Sequence, residues 1–66
     1  MRELEQVDLS HEELETLRLR YLENKSQTVA AEEMGLSQSQ YQRDMWEANR
    51  KIVDAIVNQK GIKIPN

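Results

Sequence analysis

Cysteine is absent from this chain of 66 residues, so neither a disulfide framework nor a thiolate metal site is open to it. No apolar run approaches the roughly 20 residues of a membrane-spanning helix, and the N-terminus lacks the charged-then-apolar pattern of a secretory signal. The chain therefore reads as cytoplasmic, with no membrane role. Catalytic residues are equally scarce. The single histidine, His11, sits at an acidic helix start, where a solvated or locally paired imidazole is the expectation rather than a general base. The acid pairs Glu12-Glu13 and Glu32-Glu33 are adjacent in sequence and diverge around a helix. They suit helix-start charge or a solvated face better than a shared-proton dyad or a metal clamp. No glycine-rich phosphate loop is present. The reading is of a protein that is not an enzyme, with no cofactor, no metal and no small-molecule substrate. Core is the last shortage: a chain this short buries only about 60% of its unfolded surface, and oligomerisation is a common remedy.

What is there begins with an uneven charge. Residues 1–15 carry six acids and one base, giving −5; residues 16–35 carry three of each; residues 36–66 carry five bases and three acids, giving +2. The net −3 argues against nucleic acid, whereas its asymmetry is compatible with a locally basic face.

Three helices are legible. Ser10 with Glu13 forms a capping box, and Leu14, Leu17 and Tyr21, joined by Leu22, recur at helical spacing from about His11 to Glu23. Asn24-Lys25 breaks this helix. Ser26 caps a second one, from Gln27 to Met34, with Val29 or Ala30 and Met34 turned inward. Gly35 ends it, because a glycine just past a helix accepts the left-handed conformation that a Cβ resists. Ser37 with Gln40 reads as another capping box, opening a third helix without glycine or proline to about Asn58. The alternating tail Ile62-Lys63-Ile64 can pair with Val7–Leu9, of its own chain or of a partner. The organisation is an N-terminal extension (1–9), a domain (10–58) and a tail (59–66).

Helix, glycine turn and capped helix are the geometry of a helix-turn-helix, in a small all-α, three-helix domain with a long third helix. Ala30, Ala31, Met34, Leu36 and Tyr41 fill its small or apolar positions. Ala31 stands where the helices cross closely and a larger side chain would part them. The motif expects one more apolar residue at position 44, where this chain has Asp44; Met45 can supply that packing.

The stretch "LSHEELETLRLRYLENKSQTVAAEEMGLSQSQYQR", with "NRKIVDAIVNQKGIKI", resembles an uncharacterised prokaryotic family of predicted DNA-binding proteins, whose helix-turn-helix is similar to region 4 of sigma factors. The likeness covers roughly Val7 to Ile64. It is strongest at Glu13, Leu14, Leu17, Ala30, Ala31, Met34, Gly35, Ser37 and the Gly61–Ile64 tail. It implies a DNA-binding, regulatory role. Members of that family often continue into a cysteine-rich segment. This chain reads as a short relative or a truncation, and no metal role carries over. The family tends to have a basic residue where Gln38 and Asn49 stand, which implies modest DNA affinity here.

In helix-turn-helix docking the third helix enters the major groove by its N-terminal residues. The expected base readers are Gln38, Ser39, Gln42 and Arg43, since Gln pairs with adenine and Arg with guanine through two atoms each. Lys25, Ser26, Gln27, Thr28, Ser37 and Arg50 suit phosphate, helix starts being favourable to anions. On helix three, Tyr41, Met45, Ala48, Ile52, Ala55 and Ile56 form the expected core stripe. Arg43, Glu47, Arg50, Lys51 and Asp54 occupy the remaining arc. Trp46, Val53 and Val57 form a second apolar stripe that so small a domain can hardly cover, which points to a homodimer. For Trp46 a contact with the DNA backbone, a place capping the dimer interface and a place in the core are all open. The alternative function is a protein–protein interaction module, sigma-like or polymerase-binding, that uses this apolar stripe.

Overall fold

The computed structural model describes residues 5–65. Strand β1 (Gln6–Asp8) leads into α1 (His11–Leu17), which widens without a break into a π-helical turn, Arg18–Leu22. Helices α2 (Gln27–Met34) and α3 (Gln38–Val57) and strand β2 (Gly61–Lys63) follow. Three helices and a long third one are what the sequence pattern predicts, and these form. The two strands pair in parallel within the chain, Gln6 opposite Gly61, Val7 opposite Ile62 and Asp8 opposite Lys63. Val7 and Leu9 are buried, so the segment expected as an extension contributes apolar surface to the core.

Local chemistry sets the helix ends. The Ser10–Glu13 capping box is complete: Ser10 Oγ accepts from the Glu13 N–H at 3.1 Å and the Ser10 N–H donates to Glu13 Oε1 at 2.8 Å. Ser26 Oγ accepts from the Val29 N–H. Ser37 Oγ accepts from the Gln40 N–H, but the box expected there is only half made, because the Gln40 amide donates to Asp44 Oδ1 instead. Gly35 closes α2 at φ +69, and Asn24 takes the left-handed conformation (φ +57) after the π-helical turn. Asparagine tolerates that conformation better than most residues.

The core gathers around Tyr41, which is fully buried with Leu19, Ala30, Ala31 and Met45. Its hydroxyl donates to the Thr16 carbonyl oxygen at 3.1 Å. Burial pushes the Tyr41 phenol above its ordinary pKa, so it stays a donor. Ala30 takes the inward position and Val29 is exposed. Met45 packs as expected in place of the apolar residue missing at 44. Asp44 itself is half-buried, with one carboxylate oxygen bonded to Gln40 and the other buried without a partner.

Two expectations fail. Helix one does not turn Leu14, Leu17, Tyr21 and Leu22 inward as one face; Glu13, Thr16 and Leu19 are its buried residues, while Leu22 is 81% exposed and Tyr21 62%. Glu13 and Thr16 precede the π-helical turn, so the inward face is set before it, and the Leu14–Leu17–Tyr21 series lies to one side of that face. Ile56, expected in the core stripe of α3, is 71% exposed, because the stripe is covered only as far as α1 and β1 reach.

Glu13 belongs to a second tie. Lys51 Nζ donates to Glu13 Oε1 and to the Asp8 carbonyl, both at 2.8 Å, joining α3 to the α1 cap and to β1. Lys51, on the charged arc of α3, is thus a closing residue of the fold. Just beyond the C-terminal end of α3, Lys60 pairs with Asp54 at 3.0 Å and Glu5 at 3.5 Å. Burial alone would raise the Glu13 carboxyl, but hydrogen bonds from Lys51 and Ser10 and the lysine charge outweigh it, and the group lies below its ordinary value. A depressed carboxyl stabilises the fold in full above the ordinary glutamate pKa of about 4.3, and that stabilisation is lost as pH falls from there through the lower folded value. Glu13→Gln, followed by thermal unfolding at neutral pH, is expected to cost about 2 kcal/mol, chiefly by removing the carboxylate charge that faces the half-buried Lys51 ammonium. The gap between variant and parent is expected to narrow as pH falls below about 4.

Candidate nucleic-acid interface

Helices α2 and α3 meet through a turn of three residues, Gly35, Leu36 and Ser37. The Leu36 N–H donates to the Ala31 carbonyl at 2.9 Å and the Gly35 N–H to Glu32 at 3.0 Å, so the last carbonyls of α2 are satisfied while the chain reverses. Ala30 and Ala31 let the two helices approach closely. The face of α3 opposite Tyr41 is thereby held outward over its first two turns.

That face carries the expected base readers. Gln38, Ser39, Gln42 and Arg43 are all exposed. Two of them are also fastened to the start of α2. Gln38 Nε2 donates to Thr28 Oγ1 at 2.7 Å, and Gln42 Nε2 donates to Gln27 Oε1 at 3.0 Å. Sequence reasoning places these four residues in two separate groups and misses the pairing. No sequence signal announces it, because the partners are 10 and 15 residues apart. Each bond uses one amide hydrogen. The second hydrogen and the side-chain oxygen of both glutamines remain for an external donor–acceptor pair. Arg43 makes no ion pair or hydrogen bond among the described residues, and its guanidinium fork is uncommitted.

The expected phosphate group is brought together only in part. Ser26 and Ser37 both commit their hydroxyls to caps, at Val29 and Gln40. Both caps leave first-turn N–H groups directed outward, where an anion oxygen fits. Gln27 and Thr28 flank the glutamines as described. Lys25 is half-buried and pairs with Glu33 at 3.6 Å, so its charge is partly answered. Arg50 lies two turns beyond Arg43, in an ion pair with Glu47 at 3.1 Å, its guanidinium carbon 5.9 Å from the centre of the Trp46 ring. Trp46 is 62% exposed, on the same side of α3 as Ser39, Arg43 and Arg50; of the places open to it, the core is excluded. Val53 and Val57 are exposed further along the helix.

Among the described residues no group of three or more His, Cys, Asp or Glu is placed to hold a metal ion. His11 lines a shallow pocket with Glu12, Glu15, Glu33 and Met34. No helix among the described residues is long and apolar enough to cross a membrane.

Over residues 1–65 the chain matches the family described as "Protein of unknown function DUF134". Relatives named "UPF0251 protein" include one from Methanosarcina mazei, 47% identical over 60 residues, which covers 91% of this chain and 37% of the relative. Another, from Methanocella arvoryzae, is 44% identical over 62 residues, covering 94% and 37%. A bacterial one, from Moorella thermoacetica, is 42% identical over 64 residues, covering 97% and 43%. The chain thus spans 37% of the length of the first two relatives. No solved structure matches it.

The turn that sets this face of α3 outward carries a direct expectation. A Cβ at Gly35 would meet nothing within 4 Å, so the cost of Gly35→Ala is that of the left-handed backbone alone, about 1 kcal/mol. For a domain this small the midpoint of thermal unfolding should fall by roughly 4–8 °C.

Proposed function

The chain belongs to the DUF134 family, and from that premise we propose that it is a helix-turn-helix domain, similar to sigma-factor region 4, that binds double-stranded DNA in the cytoplasm as a transcriptional regulator. One observation carries the reading. The exposed first two turns of α3 present Arg43 uncommitted beside Gln38 and Gln42, which are already oriented by their bonds to the start of α2. A side chain held before binding loses less freedom on binding. The two helix starts lie together at this end of the molecule, so a phosphate at α2 would fix the register in which α3 enters the groove.

The roles follow from the chemistry. Arg43 offers a guanine its bidentate fork, and Gln38 and Gln42 offer adenine a donor and an acceptor. Ser39 donates to either base type. The N–H groups at Gln27 and Thr28, with Lys25 and Ser37 close by, take phosphate. Arg50, stacked on Trp46, reaches the backbone at the far side of the groove. Few cations take part, so affinity for one site is modest.

The rival reading, a module that binds another transcription protein, draws on the exposed apolar residues of α3. A titration of mixed-sequence duplex DNA at about 50 and 200 mM salt separates the two. DNA binding driven by counterion release weakens steeply over that range. Arg43→Glu is expected to abolish binding while leaving the circular dichroism spectrum unchanged, and Gln42→Ala to weaken it by roughly 10-fold at selected sites only. No binding at the lower salt by a folded protein overturns the reading, and a transcription protein that binds the parent but not Val53→Glu then favours the rival.

A further inference from the structure

The apolar residues that α1 fails to bury are not scattered. Leu14, Leu17, Tyr21 and Leu22 form one wall of a groove of about 540 Å³, and Asn49 and Ile52 of α3 form the other. The Asn49 amide donates to the Tyr21 hydroxyl at 3.4 Å, linking the two walls. Ile56 continues the α3 wall one turn on, being four residues beyond Ile52. Beside it Val53 and Val57 stand out from the helix as a ridge, 57% and 70% exposed. A concave and a convex apolar surface therefore lie side by side on one face of the chain.

We infer that this groove receives the Val53–Val57 ridge of a second copy of the chain, whose own groove receives this ridge in return. An isologous two-fold interface needs a surface that complements itself, and a groove flanked by a ridge of the same character meets that condition. Area agrees. Scaled by their exposures, Tyr21, Leu22, Val53, Ile56 and Val57 present roughly 600 Å² per copy, so two copies can bury up to roughly 1,200 Å² through these residues, a total that reaches the roughly 1,000 Å² a specific interface requires. A patch of that size is at the upper limit for a soluble monomer.

The rim does not oppose such pairing. Arg18 donates through Nε and Nη2 to Glu15 at 2.9 and 2.8 Å and lies 3.4 Å from Glu23, so its cation is answered within the same chain. The hydrogen bonds and charge of Glu15 hold the Arg18 guanidinium well above its ordinary pKa. Glu15 is correspondingly lowered, chiefly by the bond from Arg18. Docking here leaves the first two turns of α3 open, and Trp46 stays with them rather than with Val53 and Val57. The pairing does not depend on the DNA reading.

Sedimentation of the 66-residue chain across the micromolar range tests it. The parent is expected to be a dimer. Leu22→Glu, on the groove wall, and Ile56→Glu, beside the ridge, alter exposed positions and leave the monomer folded by circular dichroism. Each is expected to weaken dimerisation by roughly 100-fold, since each would bury a charge in the contact. A parent that remains monomeric at hundreds of micromolar overturns the inference. So does a dimer that both variants leave intact, which would place the contact elsewhere. DNA anisotropy on the Leu22→Glu monomer keeps the outcomes apart: salt-sensitive binding by that monomer supports the DNA reading whatever the fate of the dimer, and its absence in parent and variant alike counts against that reading alone.

Discussion

Tyr41 is the residue on which the arrangement turns. It lies near the start of α3, fully buried, and its hydroxyl reaches across to the Thr16 carbonyl of α1. Around its ring close Leu19 from the π-helical turn, the two alanines of α2 and Met45. A chain with so little apolar mass cannot hold three helices by area alone. One aromatic ring in contact with all three, with its polar end satisfied, supplies both packing and direction. The same helical turns that bury Tyr41 turn Gln38, Ser39, Gln42 and Arg43 outward. Anchor and candidate face are opposite sides of one short piece of helix, so loosening the first misaims the second.

The uneven charge of the sequence acquires a structural meaning. The acidic N-terminal segment and the basic C-terminal one are brought together: Lys51 meets Glu13, and Lys60 meets Glu5. The parallel strands run between these ties, and Lys60 also holds Asp54, whose carboxyl is lowered first by the Asn58 amide and then by Lys60. Lysines that look available to an external anion in the sequence are thus occupied in closing the fold. Lys25 and Arg50 are partly occupied as well. The cationic character of the proposed interface is therefore concentrated at Arg43, with neutral amides and helix starts around it. Recognition under the proposed function would lean on hydrogen bonds and shape more than on charge.

Asp44 is a local cost. Its second carboxylate oxygen is buried without a partner, at a position where an apolar residue would pack better. Met45 supplies the packing one residue on, and Gln40 leaves its cap to bond the first oxygen. The fold absorbs the departure through neighbours on the same helix.

The ends of the helices were determined by the sequence itself. Ser10, Ser26, Ser37 and Gly35 act on backbone groups within three or four residues, so their effect survives in any surroundings, and the turn that aims the candidate site follows from them. Which faces the helices bury was a different matter. Thr16 and Glu13 lie inside because their polar groups find partners there, in Lys51, Ser10 and the Tyr41 hydroxyl, and Ile56 lies outside because α1 and β1 cover only part of α3. The cross-helix bonds Gln38–Thr28 and Gln42–Gln27, and the clasp of Lys51 on Glu13, likewise join residues far apart in the chain. Capping is a short-range property of the backbone, whereas burial and long-range pairing are properties of what a residue meets, and only the tertiary structure decides that.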